Sequence, residues 1–244
     1  MQLPAPIKSS ATALIGEHCY VSLVEEFDLS NVDCIKYTIS KGLGLGIVVG
    51  GSIVKIPQIL TILSSGSARG LSLMSYVLET LSCIITFSYN VRHGNPFSTY
   101  GETAFLTVQD IIITLMILYY ARQYGATAGT LVGFSAVIYG LIYMVPPVLM
   151  ASLYAATIPL SLASKVPQIY TNFVNKSTGQ LSVFAVINYF AGTTARVFTT
   201  MTELDDPLML TGSVLASVLN GILAIQVFLY WGNKMADVKQ KKSE

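Results

Sequence analysis

Lys55-Ile56-Pro57-Gln58-Ile59 returns 110 residues later as Lys165-Val166-Pro167-Gln168-Ile169. The same displacement pairs Thr61 with Thr171, Ser67 with Ser177, Leu71 with Leu181 and Ser72 with Ser182. Eight of the eighteen positions 55–72 are identical, where ordinary residue frequencies give roughly one. The spacing never slips, so one structural unit is expected to occur twice.

The 244 residues around this repeat are 52% hydrophobic and 11% charged, against about 25% charged in soluble domains. A mean hydropathy of +0.61 agrees with a membrane protein. The net charge of +1 argues against nucleic acid as a partner, which needs a strong basic patch. No signal peptide is evident in residues 1–40, which hold Glu17, Glu25, Glu26, Asp28 and Asp33. Of the three cysteines, Cys83 sits in an apolar run and reads as a packed small hydrophobe. Cys19 and Cys34 either pair, if their segment faces an oxidising compartment, or remain free thiols. His18 and His93 are isolated, with no metal spacing and no nucleophile triad. The reading is therefore not an enzyme, with no metal and no cofactor.

Residues 1–40 are mixed and polar, with a short amphipathic stretch near Tyr20–Phe27 suited to a membrane surface. Seven apolar runs follow, at about 42–62, 71–90, 103–121, 127–147, 150–170, 181–201 and 210–231. Each approaches the roughly 20 residues that cross a bilayer as a helix. No alternation of the barrel kind is present, so the expected class is all-α integral membrane with seven transmembrane helices. The repeat sorts them as 3+1+3: a three-helix bundle over 41–122, a linker helix over 123–149 and a second bundle over 150–231. Three helices plus one is an even number of crossings, so the two three-helix repeats are parallel. In such folds substrate lies between the halves near the midplane.

Lys8, Lys36, Lys41 and Arg92 fall on the N-terminal side of the membrane. Arg69, Arg122, Lys176, Lys234, Lys239, Lys241 and Lys242 fall on the other side. The excess of positive charge predicts a lumenal 1–40 segment and a cytosolic basic tail over 232–244. Asn175-Lys176-Ser177 is a formal glycosylation sequon that this topology keeps bare. Lys241 and Lys242, fourth and third from the end of the sequence, resemble a dilysine address for retrieval to the endoplasmic reticulum. The plainer reading is a basic tail marking the cytosolic face.

Proline inside a helix removes a donor and bends the chain. Pro57-Gln58 and Pro167-Gln168 therefore read as a hinge in each bundle, or more simply as helix stops. Pro57 should free the carbonyl of Ile53 and Pro167 that of Ala163, and the neighbouring glutamines are placed to satisfy freed groups or hold a substrate. Gly46-x-x-x-Gly50 reads as close helix packing. Lys55, Glu79, Asp110, Lys165 and Arg196 are ionisable residues in apolar runs, each costing roughly 2.5–3.5 kcal/mol at a helix centre. The repeat maps Asp110 onto Asn220, a polar pair that would face a cavity or serve as interhelical glue with Gln109 or Gln226. Glu79 maps onto Tyr189, which leaves Glu79 as a one-sided site residue or a proton carrier. Lys55 and Lys165, with Arg196, suit an anionic head group. Alternatively the lysines snorkel, or Glu79 and Asp110 neutralise them as ion pairs.

Two three-helix repeats, each with Lys-x-Pro-Gln-Ile, resemble the PQ-loop family, related in fold to the SWEET sugar transporters. The resemblance covers about residues 40–232. The stretches 40–48 (SKGLGLGIV), 178–182 (TGQLS) and 206–209 (DPLM), with the basic tail, are similar to its mannose-P-dolichol utilization branch. That branch implies an endoplasmic reticulum membrane protein required for lumenal use of dolichyl-phosphate mannose and glucose. Those lipids feed N-glycosylation, C-mannosylation and GPI-anchor synthesis, so the implied partners are dolichyl-phosphate sugars and the glycosyltransferases that use them. The fold kinship also implies that polar residues of the third and seventh helices line a pocket, here Asp110 and Asn220. Two other classes stay open: a small-solute transporter for a sugar or amino acid, and a non-catalytic scaffold or chaperone for glycosyltransferases.

Overall fold

The structure, a computed structural model, describes residues 4–163, 165–178 and 183–230. Lys241, Lys242 and the repeat positions Leu181 and Ser182 lie outside the described residues. The chain divides into two compact units, Met1–Thr157 and Ile158–Glu244. All the regular structure among the described residues is helical.

The first unit opens with α1 (Ala5–Tyr20), which runs into a π-helical turn, Val21–Glu25. The expected amphipathic stretch at 20–27 is thus this turn and a loop. Glu25 accepts a 2.7 Å hydrogen bond from Lys8 Nζ, and this contact raises the lysine's pKa above its usual value. Cys19 and Cys34 form a disulfide that fastens α1 to the first turn of α2 (Val32–Ile53). His18 lies close to both sulfurs, but the disulfide occupies the two thiols as metal ligands.

The first apolar span therefore begins ten residues before the apolar run itself. Asn31 starts it: its side-chain oxygen accepts from the Cys34 amide at 3.2 Å, satisfying a donor of the first turn. The helix breaks at Val54–Lys55 and resumes as α3 (Ile56–Ser65), which ends on Gly66 at φ +59°. A left-handed end of this kind suits a residue without Cβ. Ser72 caps α4 (Leu73–Arg92), and α5 (Phe97–Tyr120) and α6 (Tyr124–Tyr143) complete the packed core of the unit. There α5 is central, touching α2, α3, α4 and α6. Arg92 closes the unit by donating to the carbonyl oxygens of Leu141 and Val145, at 2.9 and 2.5 Å, at the end of α6.

The α2–α5 contact corrects the expected glycine pair. Gly46 and Gly50 touch nothing a Cβ would meet. Gly44 and Gly51 are the close approaches: a Cβ at Gly44 would lie 2.8 Å from Ser98 O, and one at Gly51 would lie 2.5 Å from Glu102 Cγ. Positions 44, 48 and 51 share one face at helical spacing, and Val48 between them packs on Gly101.

The helix α7 (Pro147–Leu162) spans the boundary between the units; it ends at Leu162, and α8 (Lys165–Asn175) follows. The two helix interruptions thus sit at matching places in the repeat, at Val54–Lys55 and between Leu162 and Lys165. The second unit is completed by α9 (Val183–Glu203) and α10 (Pro207–Leu229), with α10 packing on both α8 and α9. Asp206 starts α10, its carboxylate accepting from the amides of Leu208 and Met209 at 2.9 and 3.0 Å.

Among the described residues, five segments are long and apolar enough to cross a membrane: Val32–Ser65, Phe97–Tyr120, Tyr124–Tyr143, Pro147–Asn175 and Pro207–Leu229. The chain is a multi-pass membrane protein. The expected runs at 71–90 and 181–201 are the helices α4 and α9, of 20 and 21 residues. They are more polar, and they bury Thr80, Ser88 and Asn90, or Thr199 and Thr200, among their neighbours.

The repeat is visible in the cores. The first unit packs Ile62, Ile113 and Ile117, and the second packs Val186, Leu223, Ala224 and Val227. Ile113 and Ile117 correspond to Leu223 and Val227 at the offset of 110.

Candidate functional site

Each repeat gathers polar groups beside its helix break, and each does so differently. In the first unit Lys55 caps α3 at the break, with φ −100° and ψ −2°. Its amide has lost the helical acceptor. The side chain of Gln109 on α5 is inserted there. Its oxygen accepts from the Lys55 amide at 2.9 Å, and its nitrogen donates to the carbonyl oxygens of Gly51 and Ser52 at 2.8 and 3.3 Å. One side-chain amide thus stands in for a peptide group across the gap in the helix. Gln58, one of the expected rescuers, instead hydrogen-bonds with Tyr76.

The Lys55 ammonium reaches two carboxylates. It pairs with Asp110 and lies 2.7 Å from Glu79 Oε1. Asp110 is wholly buried, and its other oxygen accepts from the Cys83 thiol at 3.6 Å. Glu79 is half exposed. The Tyr76 ring covers the ammonium, 5.5 Å from Nζ to the ring centre. The structure therefore brings Lys55, Glu79 and Asp110 into one cluster holding one more carboxylate than ammonium. Burial in a membrane makes such pairing obligatory, because an unpaired charge there is costly.

In the second unit Lys165, Gln168 and Asn220 come together around a cavity of about 190 Å³. Ala185, Val186, Tyr189 and Leu223 complete its lining. The Tyr189 ring lies 4.8 Å from Lys165 Nζ. Asn220 donates to Thr193 Oγ1 at 3.5 Å, the counterpart of the Cys83–Asp110 contact one repeat earlier. Leu219 occupies the position of Gln109, so the break in this unit has no equivalent inserted amide. Its polar fastening lies further along the helix, where Asn172 donates to Gln226 Oε1 at 3.1 Å and Gln226 Nε2 donates to the Ile169 carbonyl at 2.9 Å. Arg196 lies on α9, partly buried, and is not among the residues lining the cavity.

Pro57 and Pro167 stand in the first turns of α3 and α8, where a missing amide donor is harmless. The sequence offered Gln109 and Gln226 as interhelical glue for Asp110; in the structure they take other partners, Gln109 the backbone of the α2–α3 break and Gln226 the side chain of Asn172. The signal was present: an amide side chain inside an apolar helix must find a partner.

A family model described as the PQ loop repeat matches residues 39–99 and 149–209, two stretches displaced by 110 residues. Human solute carrier family 66 member 3 is 28% identical over 180 residues, covering 72% of this chain and 87% of that protein. A eukaryotic SWEET transporter has a similar structure, with a TM-score of 0.64 over 83% of this chain and 100% of the other, at 14% identity. The shared fold, the doubled motif and the two matched stretches, which together make up half of the chain, establish that it belongs to the PQ-loop repeat family.

Proposed function

We propose that this protein serves the lumenal use of dolichyl-phosphate mannose and glucose at the endoplasmic reticulum membrane, by binding the head group of the lipid between its helices. The observation that carries the reading is the combination of a transporter-like fold with a small, mainly apolar cavity that has a few polar side chains converging on it. It offers Lys165, Gln168, Asn220 and Tyr189, groups that bind a sugar phosphate and contain no acid/base pair for breaking bonds. The stretches 40–48 and 206–209 support the dolichyl-phosphate branch of the family over its other branches. The glycosyltransferases that use these lipids are the expected partners.

The arrangement proposed is seven spans as 3+1+3, with α4 and α9 as the two more polar spans and α6 as the linker. The N-terminus is lumenal and the C-terminus cytosolic, and the Cys19–Cys34 disulfide supports that orientation because such bonds persist in oxidising compartments. The helix breaks before Pro57 and Pro167 act as hinges for alternating access. A proteoliposome assay tests the function. Acceleration of labelled dolichyl-phosphate mannose translocation supports it, and an unchanged rate with folded protein rejects the translocating version.

A second reading, transport of a small solute coupled to protons, is favoured by one feature: the half-exposed Glu79 in the carboxylate-rich cluster. Uptake of a free sugar or amino acid that Asp110→Asn abolishes would select it.

A further inference from the structure

The two repeats are unequal in charge, and the inequality follows from two substitutions at matched positions. Glu79 and Asp110 of the first repeat correspond to Tyr189 and Asn220 of the second. Lys55 is therefore neutralised by the chain itself, through Glu79 and Asp110. Lys165 has no carboxylate partner among the described residues, and its ammonium lies over the ring of Tyr189 in a cation–π contact. A cation among membrane helices without a counter-charge is costly. An anion brought by a ligand relieves that cost.

The space beside Lys165 is suited to one. We propose that the cavity of the second unit is the phosphate site of this protein, that Lys165 is its cation, and that the first-unit cluster is a closed structural ion pair that takes no ligand phosphate. The proposal deepens the reading above and rests on it in one respect, the sugar carried by the phosphate.

Among the described residues, no carboxylate lines the cavity. Lys165 and the Gln168 amide donate to phosphate oxygens. Lys165 is also the first residue of α8, where the helix dipole adds positive potential. The Asn220 amide nitrogen is directed at Thr193, which leaves its carbonyl oxygen to accept from a ligand hydroxyl. Tyr189 offers an exposed aromatic face and a phenol. The volume of about 190 Å³ is below the roughly 300–1,000 Å³ of pockets that enclose drug-sized ligands. The cavity therefore takes a phosphorylated head group and leaves a lipid chain outside. In the first unit the matching place beside Lys55 is taken by the chain's own carboxylate, with Asp110 buried between Lys55 and Cys83.

The test uses the full chain in nanodiscs of uncharged phosphatidylcholine. Four probes are compared: a short isoprenyl phosphomannose, the matching uncharged isoprenyl mannoside, mannose 1-phosphate and inorganic phosphate. The phosphomannose is expected to bind at least about tenfold more tightly than the mannoside, the equivalent of one charge-assisted contact. Lys165→Met should remove that advantage, and Lys165→Arg should keep it. Tyr189→Glu, which copies the first repeat's neutralising residue beside an intact Lys165, should remove it too.

Equal binding of charged and uncharged probes by the wild type overturns the site. So does wild-type preference in both Lys165→Met and Tyr189→Glu. Tight binding of mannose 1-phosphate without any gain from the isoprenyl chain keeps the phosphate site and rejects the lipid. Lipid translocation that proceeds unchanged in Lys165→Met keeps the proposed function and rejects this site.

Discussion

Replacing Gln109 by leucine, the residue that the second repeat has at the equivalent Leu219, should destabilise the first unit without touching any ionisable group. The substitution removes the amide that joins the Lys55 N–H to the carbonyls of Gly51 and Ser52. Two strong backbone groups, the Lys55 donor and the Gly51 acceptor, are left without their partner beside a break where the helix cannot supply another. An unsatisfied buried group costs about 1–3 kcal/mol in water-soluble proteins. Interhelical polar contacts in membranes measure lower, about 0.6 kcal/mol on average and up to about 1.7, because the unfolded chain in lipid also finds partners. Two groups at roughly 1 kcal/mol each give about 2 kcal/mol. For a chain of this size that is a fall in Tm of about 4–8 °C. Cys83 supplies the assay. It is the free cysteine among the described residues, partly buried on α4, so a thiol-reactive dye reports unfolding of this unit in detergent. A fall smaller than about 1 °C would refute the idea that Gln109 bridges the break.

Lys55→Met should cost about 3–5 kcal/mol, because it leaves Asp110 charged and buried. Adding Asp110→Leu should recover most of the loss in the same melt, and no recovery would show that the two do not act as a pair. Gly51→Ala should cost about 1–3 kcal/mol through its collision with Glu102, whereas Gly46→Ala, facing open space, should leave the Tm unchanged. In the folded protein, maleimide should label Cys19 and Cys34 only after reduction; labelling of both before reduction would show that they are free thiols. Asn175 should carry no glycan when the protein is expressed in cells with an active oligosaccharyltransferase, and a glycosylated Asn175 would invert the proposed orientation.

The helical membrane class and the duplication were legible because they rest on hydropathy and on an offset that needs no structure. The Lys55–Glu79–Asp110 cluster was half legible: three ionisable residues in apolar runs must find each other, but which partner each takes depends on helix rotation. That same rotation decided the glycines. Gly46 and Gly50 satisfied the familiar spacing, yet α2 turns Gly44, Val48 and Gly51 toward α5. The start of α2 at Val32 was hidden because Asp33, Lys36 and Lys41 are polar, and hydropathy tracks lipid rather than helix. Gln109 was legible as interhelical glue, but its partner was not: the amide answers a break in another helix, and nothing local to α5 says which backbone groups it meets. The unequal charge of the two lysine sites was legible in the pairs Glu79/Tyr189 and Asp110/Asn220, but it gained meaning only once the side chains were seen to converge.

The unequal handling of the two helix breaks bears on the ancestry of the chain. A protein built from two copies of the first repeat would have both lysines held by its own carboxylates. One built from two copies of the second would carry two bare cations into the bilayer and no inserted amide at either break. The present chain has one of each, a state closed to an assembly of two identical copies and open to halves joined in a single polypeptide. Fusion thus lets one half hold its shape with its own counter-ions while the other keeps a bare cation. A designer reconstructing a symmetric ancestor should expect the first repeat to tolerate doubling and the second to need help, in the form of an acidic residue restored at position 189 or 220.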